Sequence, residues 1–104
     1  MLQVDKRVKE HLLFINPGED NLNKTIMELL EHEYRRRLSH YENMDKTFRK
    51  KYNMTFKEFE AKNVVKEKGF SWDVESDSMD WEQAIDGIMT MKKKLEELNA
   101  IRSR

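Results

Sequence analysis

The chain has 104 residues, enough for one small domain, and 38% of them are charged against about 25% in a typical soluble domain. Twenty basic and twenty acidic residues cancel, so there is no general attraction to nucleic acid or to an anionic membrane surface. Cysteine is absent, which excludes disulfides, zinc–thiolate sites and cysteine nucleophiles.

Residues 1–21 form an N-terminal element. Val4, Val8, Leu12 and Ile15 are spaced four, four and three, as in a short amphipathic helix, with a loosely ordered arm as the alternative. Asn16-Pro17-Gly18 ends it, because proline cannot continue the hydrogen-bond ladder and glycine accepts left-handed dihedrals. Asp20 or Asn21 is placed to cap the next helix.

Residues 22–52 contain neither glycine nor proline. Apolar positions recur at Ile26, Leu30, Tyr34, Leu38, Tyr41, Met44, Phe48 and Tyr52, a mean step of about 3.7 that marks one face of a helix. Such a rod is about 46 Å long and needs a partner for its stripe. Asn53 suits the left-handed residue after its end, with Met54 as hydrophobic companion. Thr55-Phe56-Lys57-Glu58 then spells a capping box that opens a short helix over residues 55–68. Phe56, Phe59 and Val64 are its expected buried face, and Gly69 ends it.

Across residues 69–76 the pattern changes. Phe70, Trp72 and Val74 alternate with polar residues, which predicts an extended loop lying on a helix or meeting another chain. Ser76, Asp77 and Ser78 are candidate caps for a last helix over residues 77–101. Its seam runs Trp81, Ala84, Ile88, Met91, Leu95 and Leu98, with Ile85 and Ile101 beside it.

Charge orients the two long helices. Lys46, Arg49, Lys50 and Lys51 end the first, while Asp77, Asp80, Glu82 and Asp86 begin the last; Glu28, Glu31 and Glu33 match Lys92, Lys93, Lys94 and Arg102. Antiparallel pairing brings both sets together. The expected architecture is an all-α antiparallel hairpin with short flanking helices. Two helices enclose little core, so a homodimer closing a four-helix bundle, or another protein partner, is expected to cover the rest.

No apolar run approaches the roughly 18 residues of a membrane span, and charges at Asp5, Lys6, Arg7, Lys9 and Glu10 break any signal-peptide core. A cytoplasmic protein is the expectation.

Chemical motifs are few. His11, His32 and His40 form neither His-x-x-x-His nor Glu-x-x-His, so they read as solvated helix residues. Asp73-Val74-Glu75-Ser76-Asp77 starts like a calcium loop, but Ser78 and Ala84 stand where glycine and glutamate are required. Glu28 and Glu31 with Asp77 and Asp80 are similar to the magnesium-binding carboxylates of all-α nucleotide pyrophosphatases, but a hairpin puts the pairs at opposite ends. The triplets Arg35–Arg37, Arg49–Lys51 and Lys92–Lys94 fan around their helices and read as solvated faces. No catalytic, cofactor-binding or metal-binding residue is assigned. Phe70, Trp72, Val74, Met79 and Trp81 concentrate apolar bulk in an acidic frame and are the candidate partner contact, the alternative being a cap folded onto the hairpin.

Lys51-Tyr52-Asn53-Met54-Thr55-Phe56-Lys57-Glu58-Phe59-Glu60, followed by Asp80-Trp81-Glu82, resembles a family of small prokaryotic all-helical proteins over residues 34–98. Members often read Lys-Tyr-Gly-Met-Ser-x-x-Glu-Phe before an acidic stretch with a Trp-Glu pair. Here Asn53 and Thr55 replace the glycine and serine. Many members are uncharacterised, and some are described as antitoxin-like partners of a small toxin. The resemblance implies a non-enzymatic protein that binds another protein. A homodimeric helical scaffold or regulator is the alternative; a metal-dependent hydrolase or a nucleic-acid binder ranks below both.

Overall fold

The computed structural model describes residues 3–103, and its regular elements are all helices. Asp5 caps the first helix, α1 (Lys6–Ile15), by accepting from the Arg7 amide at 2.8 Å. Of the expected stripe only Leu12 is buried; Val4 is half-buried, and Val8 and Ile15 are exposed. Ten residues resting mainly on one neighbouring helix can bury only a single line of contact. The chain turns at Gly18, which has φ +83°. The Asn16 side chain donates from Nδ2 to the hydroxyl of buried Thr25 at 3.3 Å and ties α1 to the helix after the turn.

That helix, α2 (Leu22–Tyr52), begins at Asn21, whose side chain accepts from the Asn23 amide at 3.1 Å. It ends at Asn53, in the left-handed conformation at φ 54°. Thr55 and Glu58 then form the reciprocal capping box of α3 (Phe56–Ala61). A four-residue turn, α4 (Val64–Glu67), and the long α5 (Trp72–Arg102) complete the chain.

Helices α2 and α5 run antiparallel. Arg102 donates to Glu31 at 2.7 Å, the Trp81 indole to Asp45 at 2.8 Å and the Tyr52 hydroxyl to Asp77 at 2.6 Å, so advancing along α5 retreats along α2. The molecule is accordingly elongated, 59 × 28 × 24 Å. Its densest packing lies at one end. Trp81 is 0% exposed, with ring centroids of Phe48, Tyr52, Phe56 and Phe59 within 5.1–5.9 Å. Val64 closes this cluster from α4. Further along, Ala84, Met91 and Leu98 are buried from α5, while Ile88 and Leu95 are half-buried. From α2, Ile26, Tyr34, Leu38, Tyr41 and Phe48 are half-buried.

Three expectations are corrected. Residues 55–68 are two short helices, because Asn63 adopts φ 51° and breaks the ladder, and the bend carries Val64 onto the aromatic cluster. Residues 69–76 are not an extended loop. Helix α5 already starts at Trp72, with Asp73 and Glu75 in its first turn, where acidic groups suit the helix N-terminus. An isolated five-residue strand would leave its backbone groups without ladder partners, whereas the helix satisfies them. Leu30 is 40% exposed and leaves the seam, since one residue away the Glu31–Arg102 ion pair occupies the crossing between the helices.

The Asp77 site gives the fold a pH signature. Burial pushes the Tyr52 phenol up to about 12, helped by the Asp77 carboxylate that accepts its hydrogen bond. Burial alone would raise Asp77, but bonds from Lys51 and Tyr52 together hold it below its ordinary value. Folding thus favours the protonated phenol. Its contribution is complete below pH 10 and is lost as pH rises through about 12. The Asp77 contribution is complete above the ordinary carboxylate value of 3.8 and fades as pH falls through the lowered one. Tyr52→Phe is expected to lower stability at pH 7 by about 1.5–3 kcal/mol, the range for a hydrogen bond to a charged group. The wild-type advantage in urea titrations should then shrink between pH 10 and 12. Parallel profiles for the two proteins across that window would sink the assignment.

Candidate interaction surface

The expected contact residues divide into two groups. Val74 packs onto the aromatic cluster, and Trp81 is its centre, so Trp81 is not available to a partner. Phe70, Trp72 and Met79 do face solvent, at 58%, 69% and 55% exposure. Trp72 and Met79 are seven residues apart, two turns on one face of α5 and about 10 Å along its axis.

Local hydrogen bonding explains how Phe70 is presented. The Gly69 amide donates to the Lys66 carbonyl at 3.0 Å and the Phe70 amide to the Val65 carbonyl at 2.9 Å, the paired closure of a Schellman motif. Gly69 has φ +69° and Phe70 has φ +55°. A left-handed dihedral on a residue with a bulky side chain costs on the order of 1–3 kcal/mol. Here the ring is left largely in water. The frame around this end is acidic: residues 72–91 hold Asp73, Glu75, Asp77, Asp80, Glu82 and Asp86 and no Lys or Arg. Among the described residues, only Asp77 of these six is ion-paired, with Lys51.

A second apolar surface lies at the far end, where Phe14 is 83% exposed and Leu13, Ile15, Leu29 and Ile101 also reach solvent. Between the ends, α2 and α5 leave an open groove. One wall is Glu42, Asp45, Lys46 and Arg49; the other is Ile85, Ile88, Met89 and Lys92.

Asp45 is the residue that sequence reasoning missed. It interrupts the apolar face of α2, yet it is buried, accepting from the Trp81 indole and from Arg49 Nε at 3.0 Å. A buried tryptophan needs an acceptor for its N–H, so a carboxylate one turn from Tyr41 was the available signal.

The other polar motifs are tied down locally. Glu31 bonds Arg102 and Arg35, while Asp77 bonds Lys51 and Tyr52. The two carboxylate pairs therefore sit at opposite ends of the hairpin, about 30 Å apart by helix rise. Among the described residues no group of three or more His, Asp or Glu is placed to hold a metal ion. Of the basic triplets, Arg36 and Arg37 both reach Glu33 at 2.7 Å, and Arg36 first, then Arg37, pull its carboxyl down to about 2. No helix of the described residues is long and apolar enough to cross a membrane.

The chain has no match among protein-family models, curated proteins or solved structures.

Proposed function

We propose that the chain is a non-enzymatic protein-interaction module whose Phe70–Trp72–Met79 end binds a basic protein partner. The observation that carries this reading is the strained, solvent-facing Phe70 beside exposed Trp72 within an acidic run. Backbone strain kept without a packing return points to use at a contact, and exposed aromatics supply most interface energy. The uncompensated acidic residues select a partner of positive charge and speed its approach. Resemblance to antitoxin-like helical proteins fits such a role, with a small basic toxin as partner and the cytoplasm as the place of action.

The motif that carries the resemblance has structural duties here. Asn53 ends α2, Thr55 and Glu58 cap α3, and Phe56, Phe59 and Trp81 build the core. The contact surface is adjacent to that motif, at residues 70–79.

Self-association is a second reading, favoured by the exposed apolar residues away from the aromatic end: two hairpins would close a four-helix bundle and act as a scaffold or regulator.

The test pairs binding with stability. Phe70→Gly and Trp72→Ala alter groups that are mostly in water, so Trp72→Ala is expected to stay within about 1 kcal/mol of wild type in urea titration, and Phe70→Gly to match wild type or exceed it by up to about 1–3 kcal/mol. Glycine also removes the left-handed strain at position 70. Both variants should lose the partner in affinity capture from source cells. Retention of that partner by both variants would remove the surface from consideration.

A further inference from the structure

The groove between α2 and α5 has an apolar floor that the hairpin does not cover: Ile85 and Ile88 are half-buried, and Met89 beside them is 67% exposed. The charges of α5 are distributed about this point. Residues 72–86 hold six acidic side chains and no basic one, residues 87–91 are uncharged, and Lys92, Lys93 and Lys94 come next. Among the described residues, Glu82, Asp86, Lys92 and Lys93 make no ion pair, although all four are exposed. Helix α5 is therefore acidic on one side of an uncovered neutral centre and opens with a lysine run on the other, where Lys94 is already paired with Glu97 and Glu96 stands beyond the run.

We infer that this groove is the self-association face, filled by α5 of a second copy of the chain lying antiparallel about a two-fold axis near Met89. Only the antiparallel sense serves. It sets Asp86 of each α5 against Lys92 and Lys93 of the other, twice, whereas a parallel arrangement sets Asp86 against Asp86 and lysine against lysine. The floor residues of the two copies then cover one another, which removes a contiguous apolar patch from water. The result is a four-helix bundle of two hairpins. Trp72 and Met79 lie about a quarter-turn around α5 from Met89 and toward the ends of the assembled pair, so they stay open to the basic partner proposed above. The inference rests on the self-association reading and specifies its surface.

The chain lacks cysteine, so a single introduced thiol reports the axis directly. Light scattering on the full chain at tens of micromolar is expected to give twice the 12.6 kDa chain mass. Met89→Cys should form a covalent dimer on mild oxidation, while Glu67→Cys on α4 should not. Met89→Lys should halve the mass with helicity unchanged by circular dichroism. Asp86→Lys and the double variant Lys92→Glu/Lys93→Glu should each be monomeric alone and should pair on mixing, because both contacts of the mixed dimer regain opposite charges. A monomeric wild type overturns the self-association reading and this inference together. A dimer that survives Met89→Lys and does not cross-link at position 89 overturns only the placement of the axis.

Discussion

Trp81→Ala is expected to remove about 3–5 kcal/mol of stability, the usual cost of deleting a buried indole. A domain of this size has about 5–15 kcal/mol in total, so the variant should be close to unfolding at room temperature. The size of the effect comes from position. Trp81 touches aromatic rings from the end of α2, Phe48 and Tyr52, and from α3, Phe56 and Phe59, and its N–H fixes α5 against Asp45. Trp81→Phe separates the two roles. It keeps most of the ring packing but takes one donor from a buried carboxylate, for a loss of about 1–3 kcal/mol. Urea titration followed by circular dichroism should rank wild type, Trp81→Phe and Trp81→Ala in that order. Only two tryptophans are present, so Trp72→Phe leaves an emission spectrum from the fully buried Trp81 alone. That spectrum should be blue-shifted and should move to the red on unfolding. A red-shifted native spectrum would contradict the core described here.

The second large effect changes sign with its neighbour. Alanine exceeds glycine in helix propensity by about 1 kcal/mol, so Gly87→Ala in mid-helix would ordinarily stabilise. At this position an added Cβ would lie 2.5–2.7 Å from Cγ, Cδ2 and Cε2 of Tyr41. Cγ is the root of the ring, so rotating the far edge does not clear the contact. Overpacking of this kind costs about 1–3 kcal/mol, and a net loss of stability is expected. In a Tyr41→Ala background the same substitution should gain about 1 kcal/mol. A double-mutant cycle by urea denaturation reads the reversal. If Gly87→Ala stabilises equally in both backgrounds, α2 and α5 do not approach as closely at this level as described.

How much of this was legible in the sequence depended on whether the cause was local. Helix α2 could be bounded because its ends are marked by short-range chemistry, an Asx cap at Asn21 and a left-handed Asn53 followed by a capping box. Its antiparallel partner was legible from opposed charge, and the structure realises that match at Lys51–Asp77 and Glu31–Arg102. The start of α5 was misread because Phe70, Trp72 and Val74 alternate like a strand. Three residues at a spacing of two cannot be told from a helix start, and the Gly69–Phe70 reversal decides which forms. Trp81 was assigned to a contact surface because its neighbours Asp80 and Glu82 are charged. Its burial depends on Phe48, Phe59 and Asp45, which are 22 or more residues away in sequence. The Tyr41–Gly87 contact was invisible for the same reason. In the candidate surface, exposed Phe70, Trp72 and Met79 could be named from composition, but the strained dihedral that presents Phe70 could not.

The interaction reading stands or falls on quantitative affinity capture from source cells, with wild type compared against a Trp72→Ala/Met79→Ala double variant of equal urea midpoint. Wild type is expected to retain one small basic protein in stoichiometric amount, and the double variant to lose it. Equal recovery by the two proteins, or retention of nothing but the chain itself, would contradict the proposal that this end of the hairpin binds a partner.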